Sequence, residues 1–290
     1  MVSKQQMFVW GGLPITVFGL DEHKAKGVDQ PVAVVFALHG RLQSEQKMQP
    51  IAEALCGLNE AANKRHLIVV TFDHPNHGQR LRHKQANYAW KEGRHENPDH
   101  ALDMWAMLYS SSRTISDLID VLEYYLFDRQ TVTPPRIQAW GVLGFSMGGH
   151  AAFMAAAEDP RITVSIPIVG TADFLGLLRT RLQDNGLSSA QHLPASLCEA
   201  IQRRTDRLED RLKDTKLLII SGEKDKLVPA ASNAGFVQRL RQVHKGSENE
   251  DWQYIVVPDV GHEWCPTMVN ESVQWCQRWL LQQDEGQCKL

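Results

Sequence analysis

Apolar positions along this chain fall into two alternating patterns. Short runs that are apolar at nearly every position alternate with longer stretches in which apolar residues recur every three to four positions. Val32–Leu38 is an unbroken apolar run, and His66–Phe72 carries another in Leu67, Ile68, Val69 and Val70. A strand that is apolar on both faces belongs inside a parallel sheet covered on each side by helices. Further strands are predicted at Pro14–Phe18, Ile137–Leu143, Ile162–Val169, Lys216–Ser221 and Trp252–Val257. Helices are predicted at Gln49–Asn63, Thr114–Phe127, Met147–Glu158, Ala230–Val243 and Thr267–Gln283. In Thr114–Phe127, Ile115, Leu118, Ile119, Leu122, Tyr125 and Leu126 form one stripe, while Asp117, Asp120 and Glu123 face away. This alternation predicts an α/β fold: a mostly parallel sheet with helices on both faces. Two segments break the rhythm. Gly78–Arg113 is polar and rich in His, Asn and Trp, and reads as irregular; Thr171–Thr215 is charged and helical. The expected organisation is one domain over residues 1–290, with a small helical cap inserted at about 171–215.

Composition narrows the partners. With 290 residues and 43% hydrophobic content the chain can bury a large core. A net charge of −3 provides no field for gripping nucleic acid or an anionic membrane, and no apolar run is long enough to cross a bilayer. The four apolar residues before Gly11-Gly12 are too few for the apolar region of a signal peptide. Five scattered cysteines without a Cys-x-x-Cys pair suit a reducing compartment. The sequence ends Cys288-Lys289-Leu290, similar to the Ser-Lys-Leu peroxisomal address; the expected location is peroxisomal or cytoplasmic.

The sharpest chemical signal is Gly144-Phe145-Ser146-Met147-Gly148, set between a predicted strand and a predicted helix. That context gives Gly-x-Ser-x-Gly its meaning, because a serine thrust out on a cramped strand-to-helix turn needs neighbours without bulk. A serine hydroxyl is a weak nucleophile without a base, so a carboxylate and a histidine are sought further along. Asp225 follows the strand Lys216–Ser221, and His262 follows Trp252–Val257. The chain order Ser146, Asp225, His262 is the one expected of this arrangement. Asp173, past the preceding strand, is a competing acid, and Asp259 lies too near His262 in sequence to orient it. His39-Gly40-Arg41 ends the strand Val32–Leu38, where one backbone donor of an oxyanion hole belongs; Met147 supplies the other. Gly40 permits close approach of a substrate, and Trp264 is a candidate pocket residue. Tyr88, Trp90, Trp105, Met107 and Tyr109 read as core or lid packing before pocket lining. His74, His77, His83, His95 and His100 lack the spacing of a zinc motif and read as polar loop residues, so no metal and no cofactor is expected.

These motifs, running from His39 to His262, resemble those of the α/β-hydrolases, and within them single-domain serine esterases, including a group of fungal hydrolases. That group commonly reads Asp-x-Arg-Asn-His-Gly after the fourth strand; this chain has Asp73-His74-Pro75-Asn76-His77-Gly78, with proline in place of the arginine. The resemblance implies cofactor-free cleavage of a small or medium organic ester, thioester or lactone. The same constellation also serves acyltransferases and carbon–carbon bond hydrolases, and the scaffold serves ligand-binding receptors without turnover. The oligomeric state is left open.

Overall fold

The computed structural model describes residues 2–26, 30–127 and 136–282. The elements run β1 (Lys4–Val9), β2 (Leu13–Phe18), α1 (Leu20–Lys26), β3 (Val32–Leu38), α2 (Gln49–Cys56) and β4 (His66–Phe72). A short hairpin of β5 (Lys91–Glu92) and β6 (His95–Glu96) precedes the long helix α3 (His100–Leu126). Then come β7 (Ile137–Phe145), α4 (Met147–Glu158) and β8 (Ile162–Ile168). Four helices follow without a strand: α5 (Phe174–Asp184), α6 (Ser189–His192), α7 (Ala195–Thr205) and α8 (Leu208–Arg211). The chain continues through β9 (Lys216–Gly222), α9 (Ala234–Val243), β10 (Trp252–Val257) and α10 (Pro266–Cys276).

Eight strands form one sheet in the order β1-β2-β4-β3-β7-β8-β9-β10. β2 pairs antiparallel with both β1 and β4, and every pairing from β4 to β10 is parallel. The two strands that are apolar throughout, β3 and β4, are buried at every position near the centre. One core packs α3, α4 and α5 against one face; a second packs α2 and α10 against the other. α4 lies close to the sheet because Ala151, Ala152, Ala155 and Ala156 bring little bulk to the contact. The parallel strands deliver their carboxyl ends, and the loops that follow, to one edge, where sites gather in such sheets.

The fold adds α1 and the β5–β6 hairpin to the pattern-based expectation and departs from it most at β1 and α3. β1 escapes it because Lys4, Gln5 and Gln6 begin the strand with polar residues; it is an edge strand with alternating exposure. α3 begins at His100, fourteen residues before the expected start at Thr114, so the last fourteen residues of the expected irregular stretch are helix. Ser110, Ser111 and Ser112 mask its stripe. Ser111 and Ser112 are buried yet partnered, Ser111 Oγ donating to His74 Nδ1 (2.6 Å) and Ser112 Oγ back to Tyr109 O (2.9 Å), so the helix interior tolerates them. Smaller differences occur at helix ends: α2 closes at Cys56 into a 3₁₀ turn, and α9 is preceded by another. Among the described residues no helix is long and apolar enough to cross a membrane. Cys288-Lys289-Leu290 lies outside the described residues.

Candidate active site

Ser146 is the single residue between β7 and α4, with φ 55° and ψ −113°. Few L-residues adopt that backbone, and it turns the side chain away from both elements. The turn is closed by contact: a Cβ on Gly144 would lie 2.0 Å from Gly148 O, so only glycine fits. Ser146 N–H donates to Ile168 O at 2.8 Å, anchoring the elbow to β8.

The loops after β9 and β10 bring the other two residues to it. His262 Nε2 lies 2.7 Å from Ser146 Oγ, and His262 Nδ1 lies 2.7 Å from Asp225 Oδ2. A carboxylate can only accept, so Nδ1 carries the proton and Nε2 is left to accept from the serine hydroxyl. Oδ1 of Asp225 accepts from the N–H groups of Leu227 (2.8 Å) and Val228 (2.9 Å), which fixes the carboxylate. The Asp225 side chain is fully buried, and that of His262 is 17% exposed. The two loops are laced together: Glu223 N–H donates to Val257 O (3.0 Å) and Lys224 N–H to Val260 O (2.8 Å). A Cβ on Gly222 would come within 2.5 Å of Val260 O and Gly261 O, so glycine at the end of β9 permits this approach. Asp173 is elsewhere: it caps α5, accepting from Gly176 N at 2.8 Å. Asp259 points to solvent and pairs with Lys224 at 2.5 Å. Trp264 stacks on Phe145, centroids 5.2 Å apart, and Phe145 also packs on the His262 ring.

The turn after β3 abuts the elbow. His39 O accepts from Gly148 N–H (3.1 Å) and from His74 Nε2–H (2.9 Å), pinning residues 39–41 against the start of α4. His39 is fully buried, and burial pulls its pKa down to about 3 despite its contact with Gly40. It is therefore neutral: Nδ1–H donates to Gly40 O (2.7 Å), Nε2 accepts from His74 N–H (3.1 Å), and the 3.7 Å approach to Asp73 is no ion pair. Burial likewise holds His74 and His77 below the usual histidine range. Asp73 organises its loop by accepting from Glu45 N–H and Gln79 N–H, both at 2.8 Å. Arg80 donates to Asp73 O at 2.9 Å, a cation close to where Pro75 replaces the arginine of the related pattern. Gly40 N–H donates to Gln43 Oε1 (3.1 Å), and Arg41 Nη1 donates to Asn87 O (2.6 Å). Trp90, Trp105 and Met107 are buried in the core under this loop.

Gln43, Asn87 and Gly222 were not marked by the sequence, since each matters through a contact made only on folding. A cavity of about 340 Å³ between α5 and residues 229–239 has Asp173, Leu177, Phe236 and Arg239 among its walls, but not Ser146, Asp225 or His262.

The described chain has relatives. The sequence profile of the prolyl oligopeptidase family matches residues 105–284. A protein of Bacillus subtilis (strain 168) called YtaP, named as a candidate hydrolase, is 29% identical over 183 residues, covering 61% of this chain and 54% of its own. This chain thus spans about half the length of that relative. Among solved structures, TT1662 from Thermus thermophilus superposes with a TM-score of 0.66 at 18% identity, over 97% of this chain and 98% of its own. A cold-adapted esterase from an Arctic intertidal metagenomic library superposes with a TM-score of 0.59 at 16% identity, over 96% and 93%. The eight-stranded sheet has the α/β-hydrolase arrangement. The chain belongs to the prolyl oligopeptidase family and has the α/β-hydrolase fold.

Proposed function

We propose that the protein is a serine hydrolase that cleaves a small or medium organic ester, thioester or lactone through an acyl-enzyme. The observation that carries this reading is the unbroken relay from Ser146 Oγ through His262 to Asp225, with 2.7 Å at each step. As Ser146 Oγ attacks the carbonyl carbon, its proton passes to His262 Nε2. Asp225 holds Nδ1–H and offsets the charge of the imidazolium. The backbone N–H groups of Arg41 and Met147 donate to the developing oxyanion. His262 then protonates the departing alkoxide or thiolate, and a water deprotonated by the same nitrogen releases the acid. The esterase among the structures that share the fold supports the same chemistry.

Residues 171–215 act as a cap in this reading and shape the substrate pockets together with Asp73–Arg113. The two segments touch: His192 Nδ1–H donates to Pro98 O at 3.2 Å, and its ring lies 6.2 Å from that of Trp90. Gly40 and Trp264 border the acyl carbon.

The test is turnover of p-nitrophenyl acetate together with labelling by a fluorophosphonate. Ser146→Ala abolishes both; label retained on another residue overturns the assignment. Family membership favours a second reading, amide cleavage of a short peptide. Aminoacyl p-nitroanilides, assayed beside the matching p-nitrophenyl esters, decide between them: the ester alone is turned over in the first reading, and the anilide as well in the second.

A further inference from the structure

Two guanidinium groups stand beside the relay. Arg41 follows the glycine at the oxyanion turn, and its Nη1 is held on Asn87 O at 2.6 Å. Arg181 lies on α5, and its Nη2 donates to Leu227 O at 2.7 Å, two residues beyond Asp225. Arg181 is half-buried, and among the described residues it makes no ion pair with a carboxylate. The acid nearest in the chain of contacts, Asp225, is already committed: both of its oxygens accept hydrogen bonds, from His262 and from Leu227 and Val228. Other acids of the surrounding loops are committed too: Asp73 to backbone N–H groups, Asp173 to its helix cap, and Glu223 to Asp259 N–H at 3.0 Å. Burial, and then the neighbouring Arg41 cation, pull the Arg181 pKa down to about 10, with Asp225 opposing. A guanidinium sheltered beside a second cation and without a counter-ion is unfavourable, yet it stays charged at neutral pH. An incoming anion removes that penalty, and the planar fork of arginine fits a carboxylate or phosphate in two hydrogen bonds.

We infer that the substrate carries an anionic group, a carboxylate or a phosphate, close to its scissile carbonyl, and that Arg181 binds it. The anion is held by Arg181, and its charge is matched before the acyl transfer begins. This deepens the serine hydrolase reading and rests on it. Neutral and anionic esters of similar size would then differ in kcat/KM through binding, since the charge lies outside the reacting atoms.

The experiment compares matched substrates on wild type, Arg181→Met, Arg181→Lys and Ser146→Ala. One pair places the charge on the acyl side: p-nitrophenyl butyrate and mono-p-nitrophenyl succinate. The other places it on the alcohol side: phenyl acetate and 4-acetoxybenzoate. Inorganic phosphate and succinate, added as inhibitors of neutral ester turnover, distinguish the two anion chemistries. The expected result is that wild type favours the anionic member of at least one pair by about tenfold or more, chiefly in KM. Arg181→Met loses about ten times more on that member than on its neutral partner, Arg181→Lys recovers part, and added salt erodes the preference. Equal losses on both members would mean that Arg181 only braces Leu227, and would overturn the inference. So would a wild type without preference in either pair. Ester turnover that survives Ser146→Ala would instead bring down the serine hydrolase reading itself, and turnover of neutral esters that depends on Ser146 separates the two failures.

Discussion

Ser146 is held in a backbone conformation, φ 55° and ψ −113°, that costs an L-residue about 1–3 kcal/mol. The strain is met by the packed glycines around the elbow, and its return is orientation: the hydroxyl meets His262 Nε2 at 2.7 Å without further motion. Orientation also governs the third residue. Asp225 takes Nδ1–H from His262 on one oxygen and two backbone N–H groups on the other, so the imidazole has one tautomer open to it. Asp225→Asn replaces an acceptor by an amide that can donate to Nδ1, which moves the imidazole proton to the nitrogen facing Ser146. Turnover on p-nitrophenyl acetate is expected to fall by about 10⁴ in kcat, the scale seen when a serine protease loses its tautomer control. Circular dichroism should stay native, because the amide keeps the shape of the carboxylate. A loss below about tenfold would reassign the orienting role to another acid.

The elements carry the site by where they end. β7, β9 and β10 are adjacent or nearly so in the sheet, and their parallel direction delivers Ser146, Asp225 and His262 to one edge from sequence positions far apart. That much was legible: the apolar runs gave β3, β4, α4 and β10 their observed bounds, and the Gly-x-Ser-x-Gly turn was placed between the right strand and helix. β1 and the first half of α3 were not, because pattern reading counts polarity and cannot see a serine that returns its hydrogen bond to its own helix, as Ser112 does to Tyr109 O. Gly222 is a third kind of omission, a residue whose value is the side chain it lacks. Gly222→Ala would drive a Cβ to within 2.5 Å of two carbonyl oxygens of the His262 loop, and backbone there has little room to yield. The loop is expected to shift and stretch the Ser146–His262 contact. A fall of about 10–100-fold in kcat on a neutral ester is expected, with a loss of about 1–3 kcal/mol in stability. Stopped-flow or steady-state kinetics beside urea unfolding measures both; stability lost with kcat intact would show that the loop absorbs the methyl group without moving the histidine.

At the scale of the whole molecule, the histidines outside the proposed relay tie the fold to pH. His39 and His150 are buried and neutral, each with its pKa pulled by burial from the ordinary 6.5 to about 3. His150 Nδ1 accepts from Thr171 N–H at 2.9 Å, so it also joins the elbow helix α4 to the loop that leads into α5. Protonating either ring would set a charge beside backbone that is already paired, in a site closed to water. Because the folded pKa values lie below the unfolded ones, the unfolded chain binds more protons between pH 6.5 and about 3, and stability rises with pH through that window. The contribution is complete above the unfolded value and is lost as the solution is acidified below it. From pH 7.5 to pH 5 each of these two histidines is expected to remove about 2 kcal/mol, so the pair removes about 4 kcal/mol, with buried His74 shifted in the same direction. Urea unfolding at the two pH values tests this, and His150→Asn should flatten the slope by about half of the pair's share. A stability that stays level from pH 7.5 to pH 5 would mean that the open chain, or the folded one, titrates these rings otherwise. Ester turnover measured on the same samples would then report the titration of the active site alone, since the fold around it would be unchanged across the window.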